Sequence, residues 1–123
     1  MTGCQRFKEE TCYILGHDAQ TGKELWRLTP NSEIATPTPI SAHDLIYVTN
    51  GYRPIQPIYV VRPGATGDIT LKEGKDSSEF IAWSKPRGGP YMPTPIVYGD
   101  FFYTLSNQGV MTAYNAKTGE RVY

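Results

Sequence analysis

The sequence predicts an all-β protein built from repeated units of four antiparallel strands. Three observations carry that prediction. The stretch Asp18-Ala19-Gln20-Thr21-Gly22-Lys23-Glu24-Leu25-Trp26 returns at the far end of the chain as Asn115-Ala116-Lys117-Thr118-Gly119-Glu120-Arg121-Val122-Tyr123. Pro-Thr-Pro-Ile occurs at 37–40 and again 56 residues later at 93–96, each time followed by Asp, two bulky apolar residues and Tyr (Asp44 to Tyr47, Asp100 to Tyr103). Finally, 12 Gly and 10 Pro punctuate 123 residues, and no dozen-residue window repeats apolar residues at helical spacing, so short strands are expected rather than helices. A lone hairpin is marginal in water. Repeats that cannot bury their own faces have to stack, which points to a propeller or a solenoid.

Residues 1–11 give weak signals, and Lys8-Glu9-Glu10 reads as a solvated face or a frayed end. Cys12 to His17 reads as a strand and Glu24 to Leu28 as its partner. The turn between them has specific chemistry. Gly22 can take a positive φ that a β-branched residue could not, and Asp18 can brace the loop by accepting backbone N–H groups. Gly119 and Asn115 repeat both features. Period-two alternation puts Glu24, Trp26 and Leu28 on one face, with Trp26 expected to be buried.

After the polar link 29–33, Ala35 to Ile40 is a first, innermost or edge strand, because two prolines remove two ladder donors. Asp44 to Asn50 forms the second strand. Pro57 to Arg62 forms a third, apolar on both sides and so covered on both. Pro63 to Asp68 echoes the Thr-Gly turn, with Gly67 as its glycine. Leu71 to Glu79 is a polar loop, and Phe80 to Ser84 is the fourth strand, where Trp83 takes the place of Trp26. The scheme starts again at Met92. The expected organisation is therefore an N-terminal segment 1–11 followed by a repeat region 12–123, with unit ends at 12–28, a full unit at 35–84 and a near-complete unit at 92–123. That makes about two and a half units, fewer than the roughly 4–8 blades that close a ring. The expected architecture is an incomplete ring of four-stranded blades, as a piece of a longer propeller or as one of several copies that complete one another.

Twelve Lys and Arg balance 12 Asp and Glu with no basic run, which argues against nucleic acid as a partner. No stretch is long and apolar enough for a membrane helix. The N-terminus lacks a signal-peptide core, so the cytoplasm is the literal reading, and the periplasm if a leader precedes it. Cys4 and Cys12 are read as unpaired thiols, since two cysteines are no disulfide framework. His17 and His43 read as turn histidines. Asp44 and Asp100 read as turn braces, and Gly88-Gly89 as a linker, since the context of a phosphate loop is missing.

The pattern Asp-Ala-x-Thr-Gly-Lys-Glu-Leu-Trp, with Thr-Pro-x-Pro-Ile and Asp-x-x-Tyr, resembles the repeat of pyrroloquinoline-quinone-type (quinoprotein-like) β-propellers. Arg62 to Thr70, followed by Ala82-Trp83-Ser84, resembles a bacterial subgroup of that family. The resemblance spans about residues 12–123. It implies that the Trp ending a fourth strand docks on the Thr-Gly turn of the neighbouring blade. Trp26 and Trp83 would then be the docking indoles, Gly22, Gly67 and Gly119 the turn glycines, and Tyr123 a smaller substitute. Quinone-dependent members of the family use a vicinal disulfide and a calcium ion. This sequence has no adjacent cysteines and no recognisable calcium spacing, so no cofactor, metal or catalytic residue is carried over.

The function expected from these residues is a scaffold or binding module without a catalytic site of its own. Two alternatives stand beside it, a fragment of a quinone-dependent dehydrogenase and a glycan- or peptide-binding module. Tyr52, Arg53, Arg87 and Tyr91 form the candidate contact surface, because loops on a rigid frame commonly carry binding. The expected partner is a protein, or further copies completing the ring.

Overall fold

The computed structural model describes residues 12–123, and these are all-β, with no helix among them. Ten strands run in order: β1 (Ile14–His17), β2 (Glu24–Leu28), β3 (Ile40–Ala42), β4 (Leu45–Thr49), β5 (Ile58–Val61), β6 (Gly67–Asp68), β7 (Ile81–Lys85), β8 (Ile96–Tyr98), β9 (Phe101–Leu105) and β10 (Met111–Asn115). They form three sheets, ordered β1-β2-β6, β3-β4-β5-β7 and β10-β9-β8, and none closes into a barrel. The central sheet is a four-stranded antiparallel meander, and the third sheet repeats its first strands.

The turns of the two copies of the opening motif share their hydrogen bonds. Asp18 Oδ1 accepts the N–H groups of Gln20 and Thr21 at 2.8 and 2.9 Å, and Asn115 Oδ1 accepts those of Lys117 and Thr118 at 3.0 and 3.1 Å. Thr21 and Thr118 hydroxyls each accept the N–H two residues on, at 3.3 Å. Gly22 and Gly119 share a φ of 75° and donate to the carbonyls of Asp18 and Asn115 at 2.9 Å. The backbone N–H bonds to Asp18 Oδ1 hold that carboxyl below its usual range.

Each face of the central sheet is buried against a different neighbour. Ile46 and Val48 of β4, Tyr59 and Val61 of β5 and Ile81 of β7 pack with Ile14 and Leu28 of the first sheet. Leu45, Tyr47, Ile58, Val60 and Trp83 pack the other way, with Phe102, Tyr114 and Ala116 of the third sheet. The uninterrupted apolar run of β5 is accordingly buried at all four positions. A register shift between Val60 and Val61 lets Ile81 and Trp83, two apart in β7, face opposite neighbours. Tyr47, Trp83, Phe102 and Tyr114 form one aromatic cluster. Tyr47 stacks on Phe102 at 5.1 Å, and Trp83 lies edge-on to Phe102 at 5.8 Å.

Contacts between sheets fall on the repeated motifs. Trp83 is 4% exposed, and its Nε1 donates to the Ala116 carbonyl at 2.9 Å. Its ring covers Gly119 so closely that a Cβ there would lie 2.5 Å from Cδ2. Tyr47 Oη donates to the same carbonyl at 2.8 Å. The two Pro-Thr-Pro segments also touch, Thr38 N donating to Thr94 Oγ1 at 3.1 Å.

The structure corrects several expectations. Trp26 is only half-buried. Its indole lies over Gly16 of its own hairpin, where a Cβ would be 2.2 Å from the ring. Its backbone pairs with Gly67, but in parallel, an arrangement extended by Ile69 N donating to the Arg27 carbonyl at 2.8 Å. Gly67 has φ 76° and no atom within 4 Å of a built Cβ, so no indole sits on it. The first strand of the central sheet begins at Ile40, after the prolines, because Pro37 and Pro39 cannot donate to a ladder. In the last unit, β10 is followed only by a single bridge, Tyr114 to Arg121. Cys12 is disulfide-bonded, against the reading of unpaired thiols. The other cysteine in the sequence, Cys4, lies outside the described residues, as does the segment 1–11.

Candidate functional site

The loops that leave β4, enter the third sheet and join β9 to β10 meet around a cleft of about 350 Å³. Its side chains are Tyr52, Arg53, Gln56, Tyr91, Ser106, Asn107 and Gln108, and its floor includes Gly51, Gly89 and Pro90. The glycines explain how these loops come so close. A Cβ on Gly51 would lie 2.3 Å from the Pro90 carbonyl carbon, and one on Gly89 would lie 2.3 Å from the Asn50 oxygen. Backbone therefore presses directly on backbone. Gly89 N donates to the Gln56 carbonyl at 3.0 Å, and Gln56 Nε2 donates to the Gly51 carbonyl at 3.0 Å. On the far wall, Ser106 Oγ accepts the Val110 N–H at 3.1 Å and fixes the β9–β10 turn.

This packing brings together three of the four residues singled out as a contact surface. Tyr52 and Tyr91 place their rings 5.5 Å apart at 41°, with Arg53 on the same lining. Arg87 is exposed in the 86–88 linker and does not line the cleft. Gln56, Asn107 and Gln108 were not singled out from the sequence. The 56-residue repeat could have found two of them, since it maps Gly51 and Tyr52 onto Asn107 and Gln108.

Beneath the β4 exit lies a buried polar group of Asn31, Ser32, Thr49 and Asn50. Asn50 Nδ2 donates to Asn31 Oδ1 at 2.6 Å, which pins the link after β2 to the end of the central sheet. Asn31 Nδ2, Ser32 Oγ, Thr49 Oγ1 and Asn50 Oδ1 have no partner among the described residues. Left so, each costs about 1–3 kcal/mol.

The lining offers apolar faces and hydrogen-bonding groups. Two tyrosine faces offer apolar area with polar edges, and one guanidinium and three amides offer donors and acceptors. No group of three His, Cys, Asp or Glu side chains converges among the described residues. The groups with shifted titration serve structure elsewhere. Arg27 holds Glu24 down through paired contacts of 2.6 and 2.9 Å, while burial raises Tyr47 and Tyr114 and pushes Tyr59 up to about 12. The structural glycines are likewise outside the cleft: Gly22 and Gly119 in the hairpin turns, Gly67 in the β5–β7 connection.

No protein-family model matches the chain, and no curated protein matches it.

Proposed function

We propose that the chain is a non-catalytic repeat scaffold of the quinoprotein-like propeller type, displaying a binding cleft on its loops. The observation that carries this reading is the seat of the Trp83 indole on the Gly119 turn of the next sheet, with Nε1 on the Ala116 carbonyl. It supports successive sheets leaning on one another through a repeated motif, an arrangement that leaves the loops free to carry function. The dehydrogenase alternative is tested by adding pyrroloquinoline quinone with calcium and following dye reduction with alcohols and sugars. The scaffold reading expects no reduction and no change in melting temperature, and turnover would overturn it.

A glycan-binding reading is favoured by one observation, the Tyr52–Tyr91 pair beside Arg53, Gln56, Asn107 and Gln108. Aromatic faces cover the apolar faces of sugar rings, while amides and a guanidinium meet hydroxyl groups. Titration with neutral oligosaccharides, read by tyrosine fluorescence and by NMR shifts, should saturate in the native chain. Tyr91→Ala should weaken it at least tenfold, roughly the 1.4 kcal/mol expected for losing one stacking partner. Equal binding by Tyr52→Ala, Tyr91→Ala and the native chain would remove the cleft from the reading.

A further inference from the structure

The chain carries a second time the β3–β4 face and the turn that meet in its own sheet-to-sheet contact, without a second copy of the Trp83 strand, and among the described residues neither is covered. In the central sheet, Ile40, Ala42, Leu45 and Tyr47 form one face, with Ile40 opposite Tyr47 and Ala42 opposite Leu45. The third sheet repeats this face 56 residues on, with Ile96 opposite Tyr103 and Tyr98 opposite Phe101. The first face is covered, with Tyr47 0% exposed. The second is not: Ile96 is 60% and Tyr98 77% exposed, and Leu105 and Met111 extend the apolar area. Monomers seldom leave apolar faces of this kind open without use.

The structure also shows what covers such a face. On the central sheet the cover is the third sheet with its Asn115–Glu120 turn, whose Ala116 carbonyl accepts Tyr47 Oη and whose Gly119 receives the indole. That turn has a twin with the same hydrogen bonds at Asp18–Lys23. In the twin, Ala19 and Gly22 are exposed, and nothing among the described residues lies within 4 Å of a Cβ built on Gly22.

We propose that the protein associates head to tail with a second copy of itself. The Ile96, Tyr98, Phe101 and Tyr103 face of one copy covers the Asp18–Gly22 turn of the next, and Tyr103 Oη donates to the Ala19 carbonyl as Tyr47 Oη does to that of Ala116. The occupant follows from the contact between the central and third sheets, in which the β3–β4 face and the Asn115–Glu120 turn meet beside the Trp83 indole, and of which the second copy repeats the face and the turn. The proposal rests on that observed contact and not on the propeller reading or on the cleft. A heterologous contact of this kind forms closed rings where the rotation closes and open chains where it does not.

The test is sedimentation velocity of the 123-residue chain over a wide concentration range, with two single variants at exposed positions, Tyr98→Glu and Ala19→Glu. The native chain should associate reversibly. Each variant alone should stay monomeric, with an unchanged melting temperature at low concentration. An equimolar mixture of the two should form a dimer, because Ala19→Glu keeps an intact face and Tyr98→Glu an intact turn. A native chain that is monomeric throughout would overturn the proposal and leave the face to a different protein or to a further repeat of a longer chain. Loss of association in Tyr98→Glu but not in Ala19→Glu would also overturn it, since two faces would then be meeting each other.

Discussion

Gly22 and Gly119 show how the same residue in the same turn can carry different loads. Both have φ 75°, so replacement by Ala at either position costs about 1–2 kcal/mol in backbone strain. Only Gly119 lies under an indole, with Cδ2 and Cε3 of Trp83 each 2.5 Å from a built Cβ. Gly119→Ala must therefore displace a buried ring, at a further cost of about 1–3 kcal/mol. Denaturant melts of Gly119→Ala and Gly22→Ala should differ by that amount. Equal losses would mean that the ring moves aside freely. Gly16 has a similar constraint from Trp26, but within one hairpin. The sequence motif thus marks the turn, while the neighbour that occupies it sets the penalty for change.

At the scale of elements, β7 is the strand on which the sheets depend. Its register shift sends Ile81 towards the first sheet and Trp83 towards the third, so one short strand anchors both cores. Trp83→Ala should cost about 3–5 kcal/mol, the range for truncating a buried large aromatic. Trp83→Phe keeps much of the apolar area but orphans the Ala116 carbonyl of one donor, and should cost about 1 kcal/mol less the share that Tyr47 Oη still satisfies. Urea titration of both variants gives the comparison, and a loss near zero for Trp83→Ala would show that the contact contributes nothing. The matching alteration at Trp26 should be milder, since that ring is half-buried and covers its own hairpin. The parallel pairing of β2 with β6 attaches the first sheet through backbone bonds instead.

For the molecule as a whole, the core between the first and central sheets contains, among the described residues, one titratable hydroxyl. Tyr59 is 6% exposed and donates to the Pro30 carbonyl at 2.9 Å. Burial pushes its pKa from 10.0 to about 12, so the folded state holds this proton more tightly than the unfolded one. The sign follows from linkage. The stabilising difference is fully present below pH 10 and is lost as pH rises towards about 12. Stability should fall by up to about 1.4 kcal/mol per pH unit across that window from this group. Tyr59→Phe should remove that part of the slope, as thermal melts between pH 9 and pH 12 will read. An unchanged slope in the variant would assign the alkaline loss to other groups.

Turn chemistry and the strands at 14–17, 24–28, 45–49, 58–61 and 81–85 were legible in the sequence because they are local, whereas β3 begins only at Ile40 and β6 falls where a turn was expected. Asp18 and Asn115 brace their own loops, Gly22 and Gly119 relieve their own φ, and the apolar run at 58–61 declares its own two-sided burial. The 56-residue offset also carried the pairing of β3 with β4 and of β8 with β9. Other features were decided by contacts between distant segments. The bulge opposite Trp83 breaks period two, so alternation alone would have placed Ile81 and Trp83 on one face. Trp26 and Trp83 occupy equivalent motifs yet meet different surroundings, one its own hairpin and the other the next sheet's turn. The cleft gathers Tyr52, Gln56, Tyr91 and Asn107 from three loops, because Gly51 and Gly89 let backbones meet. The amino-acid order by itself determined the hairpin turns and most of the strands, since propensity, alternation and turn geometry act over a few residues. Only the tertiary structure decided which face each sheet buries and against what, since burial depends on which surfaces the folded chain brings together.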